Sequence, residues 1–504
     1  MKTIKFILFA CLLSVTTSCN NWLNVDMEDG IMENTLYETN DGYLASLNGI
    51  YTKMNEVYSS TLSMGVIDAM AQYYSIAQNS QHDYYKYATY DYSQSGFEST
   101  SGTVWTTLYN LIANINTLLD HCDENGAAIK KSYYPIVKGE ALALRAMFHL
   151  DLLRLYGPIY SEATASTQAI PYSDSSSKEI RPILSAKSVI DKVILDLNSA
   201  SELLKDDSIR TKGVMDSNPT NPNESINLRY RQYRMNYFAV RGLLARAYLW
   251  MGDKQKAYDV AKDMITENVK NNVFAWTSKA AVQNATTPDR LFSTEVMFGL
   301  YNLKRVNMYD AIFKETAAVS QCLVFPGKEL DSDDSKLLTF YSDKDDLRRG
   351  TNMWSAAELQ ETNSNTGVVT TQKALCFNKY ADISTNIHYR YMIPLLRMSE
   401  IYLIAAECTS DKKEAIDYIN SIRKARNCVD ITLKDTDTDA TILGYITAEF
   451  AREVIGEGQL FYYYKRHAMQ QIASGTSAID KYNMTLSKYV WPLPKVEIDK
   501  RVTE

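Results

Sequence analysis

Residues 137–158, VKGEALALRAMFHLDLLRLYGP, decide the fold. Val137, Ala141, Leu144, Phe148, Leu152 and Leu155 recur at spacings of three and four, which places them on one face of a helix. Ala143, Met147, Leu150 and Leu153 line a second face. A helix that is apolar on two sides must be covered on two sides, so this one belongs between neighbouring helices. Lys138, Glu140, Arg145, Asp151 and Arg154 then have little free surface and are expected in pairs, because unpaired buried charge is costly. Pro135 suits the first turn, where a missing N–H costs nothing, and Gly157-Pro158 ends the helix sharply.

Outward from this stretch, helical periodicity continues. Helices are expected around Asp41–Val57, Thr61–Ala77, Val104–Cys122, Ser132–Tyr156, Ala186–Lys205, Met235–Met251, Lys254–Thr266, Ile442–Ile455 and Gln459–Ala473. Ala247, Gly252-Asp253 and Ala257 have tetratricopeptide-like spacing: a small residue where helices touch, a turn, another small residue. Ala405, Ser410-Asp411 and Ala415 repeat the offsets much later, so the repeats are interrupted by an insertion, Val269 to Pro394. Within it Glu295–Tyr301 reads as a short strand, and Asp331–Ser335, Asp343–Arg349 and Thr362–Thr371 read as loops. Asp216–Glu224 is a loop by its Asn-Pro content, and the chain ends in an extended tail around residues 489–494. Gln78–Gly102 is polar, tyrosine-rich and aperiodic, which marks either a functional loop or one pinned by its rings.

The 504 residues exceed one simple core, and 20 Gly with 11 Pro are too few for a turn-rich all-β fold. The net charge of -7 argues against a nucleic-acid partner, which needs a basic face. Tyrosine is in excess, 36 against 14 Phe, and suits surfaces that bind as well as cores. Lys2, Lys5 and the apolar run Phe6–Val15 form a secretory leader, and small residues leading to Cys19 point to a lipoprotein signal, despite Thr16 where Leu is usual. A secreted protein cut nearby is the alternative. On this reading residues 1–18 are the leader, 19–40 a lipidated tether, 41–268 an N-terminal helical part, 269–394 an irregular insertion and 395–504 a C-terminal helical part.

Signals of catalysis are sparse. His82, His121, His149, His388 and His467 form no ligand set, and His149 and His467 read as packing residues. Seven Cys include no CxxC. Asp435, Asp437 and Asp439 imitate a calcium loop, but Ala440 and Ile446 stand where it needs Gly and Glu, so a solvated acidic turn is expected. No catalytic, metal or cofactor site is expected.

GEALALRAMFHLDLLRLYGPI resembles the marker segment of the SusD/RagB family of outer-membrane lipoproteins. Cys19 with Trp22-Leu23, Trp105–Asn116, Ala239–Met264, Leu396–Arg426, Glu449–Arg466 and Trp491-Pro-Leu-Pro resemble further family segments in the right order. Gln459-Leu460 and His467 depart from the family pattern. The resemblance implies a mainly α fold with interrupted tetratricopeptide-type helix pairs and a loop-rich, ligand-holding insertion with a few short strands. It also implies a surface lipoprotein that captures oligosaccharide, or else peptide, and caps a SusC-like TonB-dependent transporter, with no bond broken. A surface glycan-degrading enzyme and a purely structural subunit are the other readings. Sugars offer apolar faces and hydroxyl rims, so Tyr74, Tyr84, Tyr85, Tyr90, Trp276, Tyr309 and Trp354 are expected to stack, with Asn79 and Asp83 bonding hydroxyls. Trp105 is left to the core by its spacing to Leu108 and Ile112.

Overall fold

The need to wrap one apolar helix shapes the N-terminal part. In the computed structural model, which describes residues 35–76, 80–214, 229–362 and 369–502, four long helices come first. These are α1 (Asn40–Tyr58), α2 (Ser95–Asn125), α3 (Tyr134–Tyr156) and α4 (Ala186–Leu203). Every residue of α3 from Gly139 to Tyr156 is buried, with α2 and α4 as its main cover. A Cβ at Gly157 would lie 2.6 Å from the Leu153 carbonyl oxygen, so the chain leaves the helix where only glycine fits.

The charges of α3 are paired. Arg145 forks onto Asp196 at 2.7 and 2.8 Å and also donates to Asn116. Glu140 takes Arg231 and the Tyr51 hydroxyl; Asp151 takes Arg154 and the Tyr58 hydroxyl; Lys138 reaches Asp123. His149 is a packing residue. Its ring stacks 3.8 Å from that of Tyr172, Nδ1 donates to the Arg145 carbonyl and Nε2 accepts from the Ser173 N–H. Burial pushes its pKa down to about 3.

The repeat spacing becomes two helix pairs, α5 (Tyr237–Trp250) with α6 (Lys254–Asn271) and α7 (Met398–Cys408) with α8 (Lys412–Ala425). Ala247, Ala257, Ala405 and Ala415 are all buried at the helix contacts. Asp253 and Asp411 cap the second helix of each pair, accepting from the N–H groups of Lys256 and of Lys413 and Glu414. Gly252 takes φ +85°. Ser410 needs no such angle, because α7 ends on an extended Thr409 instead of an αR residue. Despite their separation in sequence, the pairs pack together through α6 and α7.

A short ladder, β1 (Gln168–Pro171) with β2 (Ile183–Ser185), precedes the repeats. The insertion is closed at its neck by β3 (Val296–Tyr301) against β7 (Met392–Arg397), antiparallel. Between them β4 (Val324–Pro326), β5 (Trp354–Thr362) and β6 (Val369–Phe377) form a sheet in the order β4-β6-β5. Of the loop expected over Thr362–Thr371, Thr362 ends β5 and Val369, Thr370 and Thr371 begin β6, while residues 363–368 lie outside the described residues. One face of the sheet sets Phe325, Trp354, Leu375 and Phe377 into the main core, while Ala357, Leu359, Ala374 and Cys376 on the other form a small separate cluster, too sparse to give a strong strand pattern.

Other expectations shift. Thr61–Ala77 holds only one helical turn, Val66–Met70, and Gln72 at φ 61° turns the chain away from it. Gln78–Gly102 is not irregular throughout: α2 starts at Ser95, its polar residues facing out while Phe97, Ser101 and Val104 face in. The helix expected over Gln459–Ala473 stops at Arg466, with Ala468 at φ 48°. Helix α9 (Asp439–Glu453) follows the expected course. Asp216–Glu224 lies outside the described residues.

Between insertion and repeats sits a buried ionic network. Glu453 of α9 accepts from Arg348, Arg397 and Arg426 at 2.7–2.8 Å; Arg426 also holds Glu295, Arg348 holds Glu449 and Arg397 holds Glu457. All seven side chains are buried. Glu453→Ala would take the shared carboxylate from three buried guanidinium groups, leaving each with its remaining acidic partner, and a loss of about 3 kcal/mol in unfolding free energy is expected from denaturant titration. An unchanged midpoint would show that the network is not structural.

Candidate ligand-binding face

The segment before α2 lies on the insertion through hydrogen bonds. The Asp83 N–H donates to the Ser320 carbonyl at 2.7 Å, and Gln321 Nε2 donates to Asp83 Oδ2 at 3.0 Å. His82 bridges the two segments: Nε2 donates to the Cys322 carbonyl at 3.3 Å while Nδ1 accepts from the Tyr84 N–H at 3.2 Å. Both bonds use the neutral imidazole, and burial holds the His82 pKa below its ordinary value. Asp83 is exposed here, with Tyr84 and Tyr85 half-buried beside it. Burial pushes the Tyr84 hydroxyl up to about 12.

The other expected stacking residues divide. Tyr74 is 1% exposed, its ring set between Phe313 and Phe325. Tyr90, 4% exposed at φ 57°, donates to the Met70 carbonyl. Trp354, 1% exposed, packs tilted against Phe325 with ring centres 4.4 Å apart and gives its indole N–H to the Arg348 carbonyl. In this structure these three present no ring face to a ligand. An aromatic residue in an aperiodic stretch can pin a loop as well as meet a sugar, and sequence does not separate the two. Tyr309 is nearly buried, and its hydroxyl donates to Asn378 Oδ1 at 2.9 Å. Trp276 is half-buried against Tyr402 and Arg426, apart from the rest. Asn79 lies outside the described residues.

A tyrosine cluster not singled out from the sequence lies at the other end of the helix Arg305–Ile312 from this junction. Tyr301, at the end of β3, is 50% exposed, and its ring is held edge-on by Tyr233 at 5.5 Å and Tyr391 at 5.6 Å. The Tyr233 hydroxyl is fixed on the His388 carbonyl, and Asn55 donates to the Tyr301 carbonyl. Arg390 lies over the Tyr391 ring and forks onto Asp382 at 3.0 and 2.8 Å. The helix Arg305–Ile312 links cluster and loop: the Asn302 N–H before it bonds the Tyr391 carbonyl, and the Ile312 carbonyl bonds Leu323, next to the segment that holds Asp83. The signal was present in EVMFGLY, where a buried strand ends on a tyrosine that leaves the core.

Among the described residues no group of three or more His, Cys, Asp or Glu is placed to hold a metal, and no helix is long and apolar enough to cross a membrane. The acidic turn is closed on itself: Asp437 accepts from the Lys434 N–H and Asp439 pairs with Lys412.

The structure thus sets a partly exposed aromatic cluster and a polar loop junction on an insertion carried by a helical scaffold. A family model described as "SusD family" matches residues 320–502, and one described as "Starch-binding associating with outer membrane" matches residues 25–220. The chain belongs to the SusD/RagB family. It superposes on a SusD superfamily protein from Bacteroides thetaiotaomicron with a TM-score of 0.67 at 23% identity, covering 92% of this chain and 98% of that one. A SusD-like carbohydrate binding protein from Bacteroides vulgatus gives a TM-score of 0.62 at 19% identity, covering 86% and 85%. A SusD superfamily protein from the same species gives 0.62 at 20% identity, covering 92% and 97%. At these identities the likeness shows the shared fold. No curated protein matches the chain.

The bridge made by His82 sets a pH dependence. Its folded-state pKa is lowered, so below pH ~6.5 the unfolded chain binds more protons and stability falls as pH drops. Urea unfolding between pH 8 and 5 is expected to show this decline, with a shallower slope in His82→Gln, whose amide keeps a donor and an acceptor but does not titrate. Equal slopes would remove His82 as a cause.

Proposed function

We propose that this protein captures oligosaccharide at the cell surface and delivers it to a SusC-like TonB-dependent outer-membrane transporter, acting as its lid. The observation that carries the reading is the Tyr301 ring, half-exposed yet clamped by Tyr233 and Tyr391. A fixed aromatic face takes the apolar C–H face of a sugar without the entropy cost of ordering the ring on binding. Asn55, Arg390, Asp382 and Asp83 supply the polar rim for hydroxyl groups. The family descriptions, starch-binding and associated with the outer membrane, agree with this. Cys19 would carry the lipid, leaving residues 19–40 as tether. The protein is not read as an enzyme, since the chemistry described is capture and release. His149 and His82, the side chains best suited to proton transfer, spend both ring nitrogens on backbone groups.

Peptide cargo is the alternative that the family resemblance leaves open. Calorimetry against panels of neutral and acidic oligosaccharides and of peptides decides between them. Oligosaccharide binding is expected, weakened about 10-fold or more by Tyr301→Ala. Binding of a peptide and of no glycan would overturn the reading. Cys19→Ala is expected to move the chain from the membrane fraction to the soluble one, and co-purification of the lipidated chain should retain a large β-barrel partner.

A further inference from the structure

Buried arginines in this protein follow one rule. Arg145, Arg231, Arg246, Arg348, Arg397 and Arg426 each bond at least one carboxylate. Arg305 breaks it. Its side chain is fully buried, yet its hydrogen bonds go to carbonyl oxygens alone: Nη1 to Tyr389 and Met392 at 3.4 and 3.3 Å, Nη2 to Ala381 at 3.5 Å. Nε has no partner. Arg290, half-exposed, shares the same carbonyl: Nη1 donates to Ala381 at 3.5 Å and Nε to Asn352 at 2.6 Å. Two guanidinium groups thus converge on one oxygen, and among the described residues neither has a carboxylate within ion-pair distance.

The surroundings offset the charge only in part, through the electrostatic pull of Asp382 on Arg305. Asp382 is occupied by Arg390, and Asp289 gives its oxygens to the backbone and hydroxyl of Ser293. The remaining lining is neutral and polar: the Tyr309 hydroxyl on Asn378, the Tyr389 hydroxyl on the Thr287 carbonyl, and Ser355. Burial lowers both arginine pKa values, that of Arg305 to about 10, and each repels the other. Both remain charged at neutral pH.

Two adjacent cations, one buried and short of a partner, are compensated by an anion from outside. We propose that Arg290, backed by the fixed charge of Arg305, binds a carboxylate or sulfate group of an acidic oligosaccharide. This rests on the reading of the chain as a glycan-binding protein and names the class of glycan. Arg290 makes the contact because it alone of the pair reaches the surface. Arg305 contributes through space, in a setting where water screens little.

Calorimetry with matched pairs tests it: oligogalacturonate against its methyl ester for the carboxylate, and a sulfated galactan oligosaccharide against its desulfated form. One charged member is expected to bind at least 10-fold tighter than its neutral counterpart, with affinity falling as salt rises. Arg290→Gln should abolish the preference, an effect of about 10- to 100-fold. The variant relieves repulsion, so its melting temperature should equal or exceed that of the parent. Equal affinity for charged and neutral members, or a preference kept by Arg290→Gln, overturns the inference. Neutral glycan bound equally by parent and variant overturns it while leaving glycan capture standing. Stabilisation by sodium glucuronate or sulfate that Arg290→Gln loses, with no oligosaccharide bound, supports the anion site and overturns glycan capture.

Discussion

Glu453 holds the two halves of this protein in register. It stands on the last turn of α9 and receives guanidinium groups from the insertion, from β7 and from the end of α8. No two of those three arginines share an element of secondary structure. Each alone would be a buried charge that the fold could not tolerate, and together with Glu295, Glu449 and Glu457 they are compensated. Glu449, Glu453 and Glu457 are four residues apart, so the helix and the turn after it present a row of carboxylates to one place. The insertion is therefore joined to the repeat helices by a lock of charge and by the β3–β7 neck, with apolar packing around both.

The helix α3 imposes a different constraint. It is apolar on nearly every side, so its charges have nowhere to go except to partners on the helices and loops around it. The Arg145–Asp196 fork ties it to α4, Glu140 with Tyr51 ties it to α1, and Asp151 with Tyr58 does so again one helix end away. The result is a scaffold whose helices are fixed in rotation as well as in contact, which lets a binding surface be built on loops without losing its geometry.

The scaffold was legible in the sequence because its signals are periodic and local. The apolar spacing of α3, the small residues Ala247, Ala257, Ala405 and Ala415, and the capping Asp253 and Asp411 each state their structural role in the residues themselves. The hairpin β5–β6 was not legible, since its core face offers only Trp354, Leu375 and Phe377 and its other face only alanines, a leucine and a cysteine between polar residues. The proposed binding face could be marked in the sequence only as a region. Asp83, Tyr84 and Tyr85 do lie at the junction of loop and insertion, but Tyr74, Tyr90 and Trp354 from the same aromatic-rich stretches turn inward. Whether a ring points in or out is set by what packs behind it, and for Tyr301 that is Tyr233 and Tyr391, residues brought there from distant parts of the chain.

The buried cations also differ in how they can be satisfied. Lys336 donates to the carbonyls of Gln72, Tyr73 and Ser474, and Lys465 to those of Arg154, Leu155 and Gly157. Neither bonds a carboxylate, which at first sight places them with Arg305. Burial, however, lowers the Lys336 pKa to about 7 and drives that of Lys465 down as well. An ammonium group can shed its proton and keep two N–H donors for the same carbonyls, so a buried lysine at such a cage of oxygens need not remain an ion. A guanidinium group has no such exit near neutral pH. Carbonyl dipoles that suffice for Lys336 and Lys465 therefore leave Arg305 with a full charge, and Arg290 beside it adds a second. The lysines close internal gaps where chain segments meet, whereas the arginine pair keeps a charge that Asp382, hydrogen-bonded to Arg390, offsets only in part, and this is the charge the proposed anion would meet.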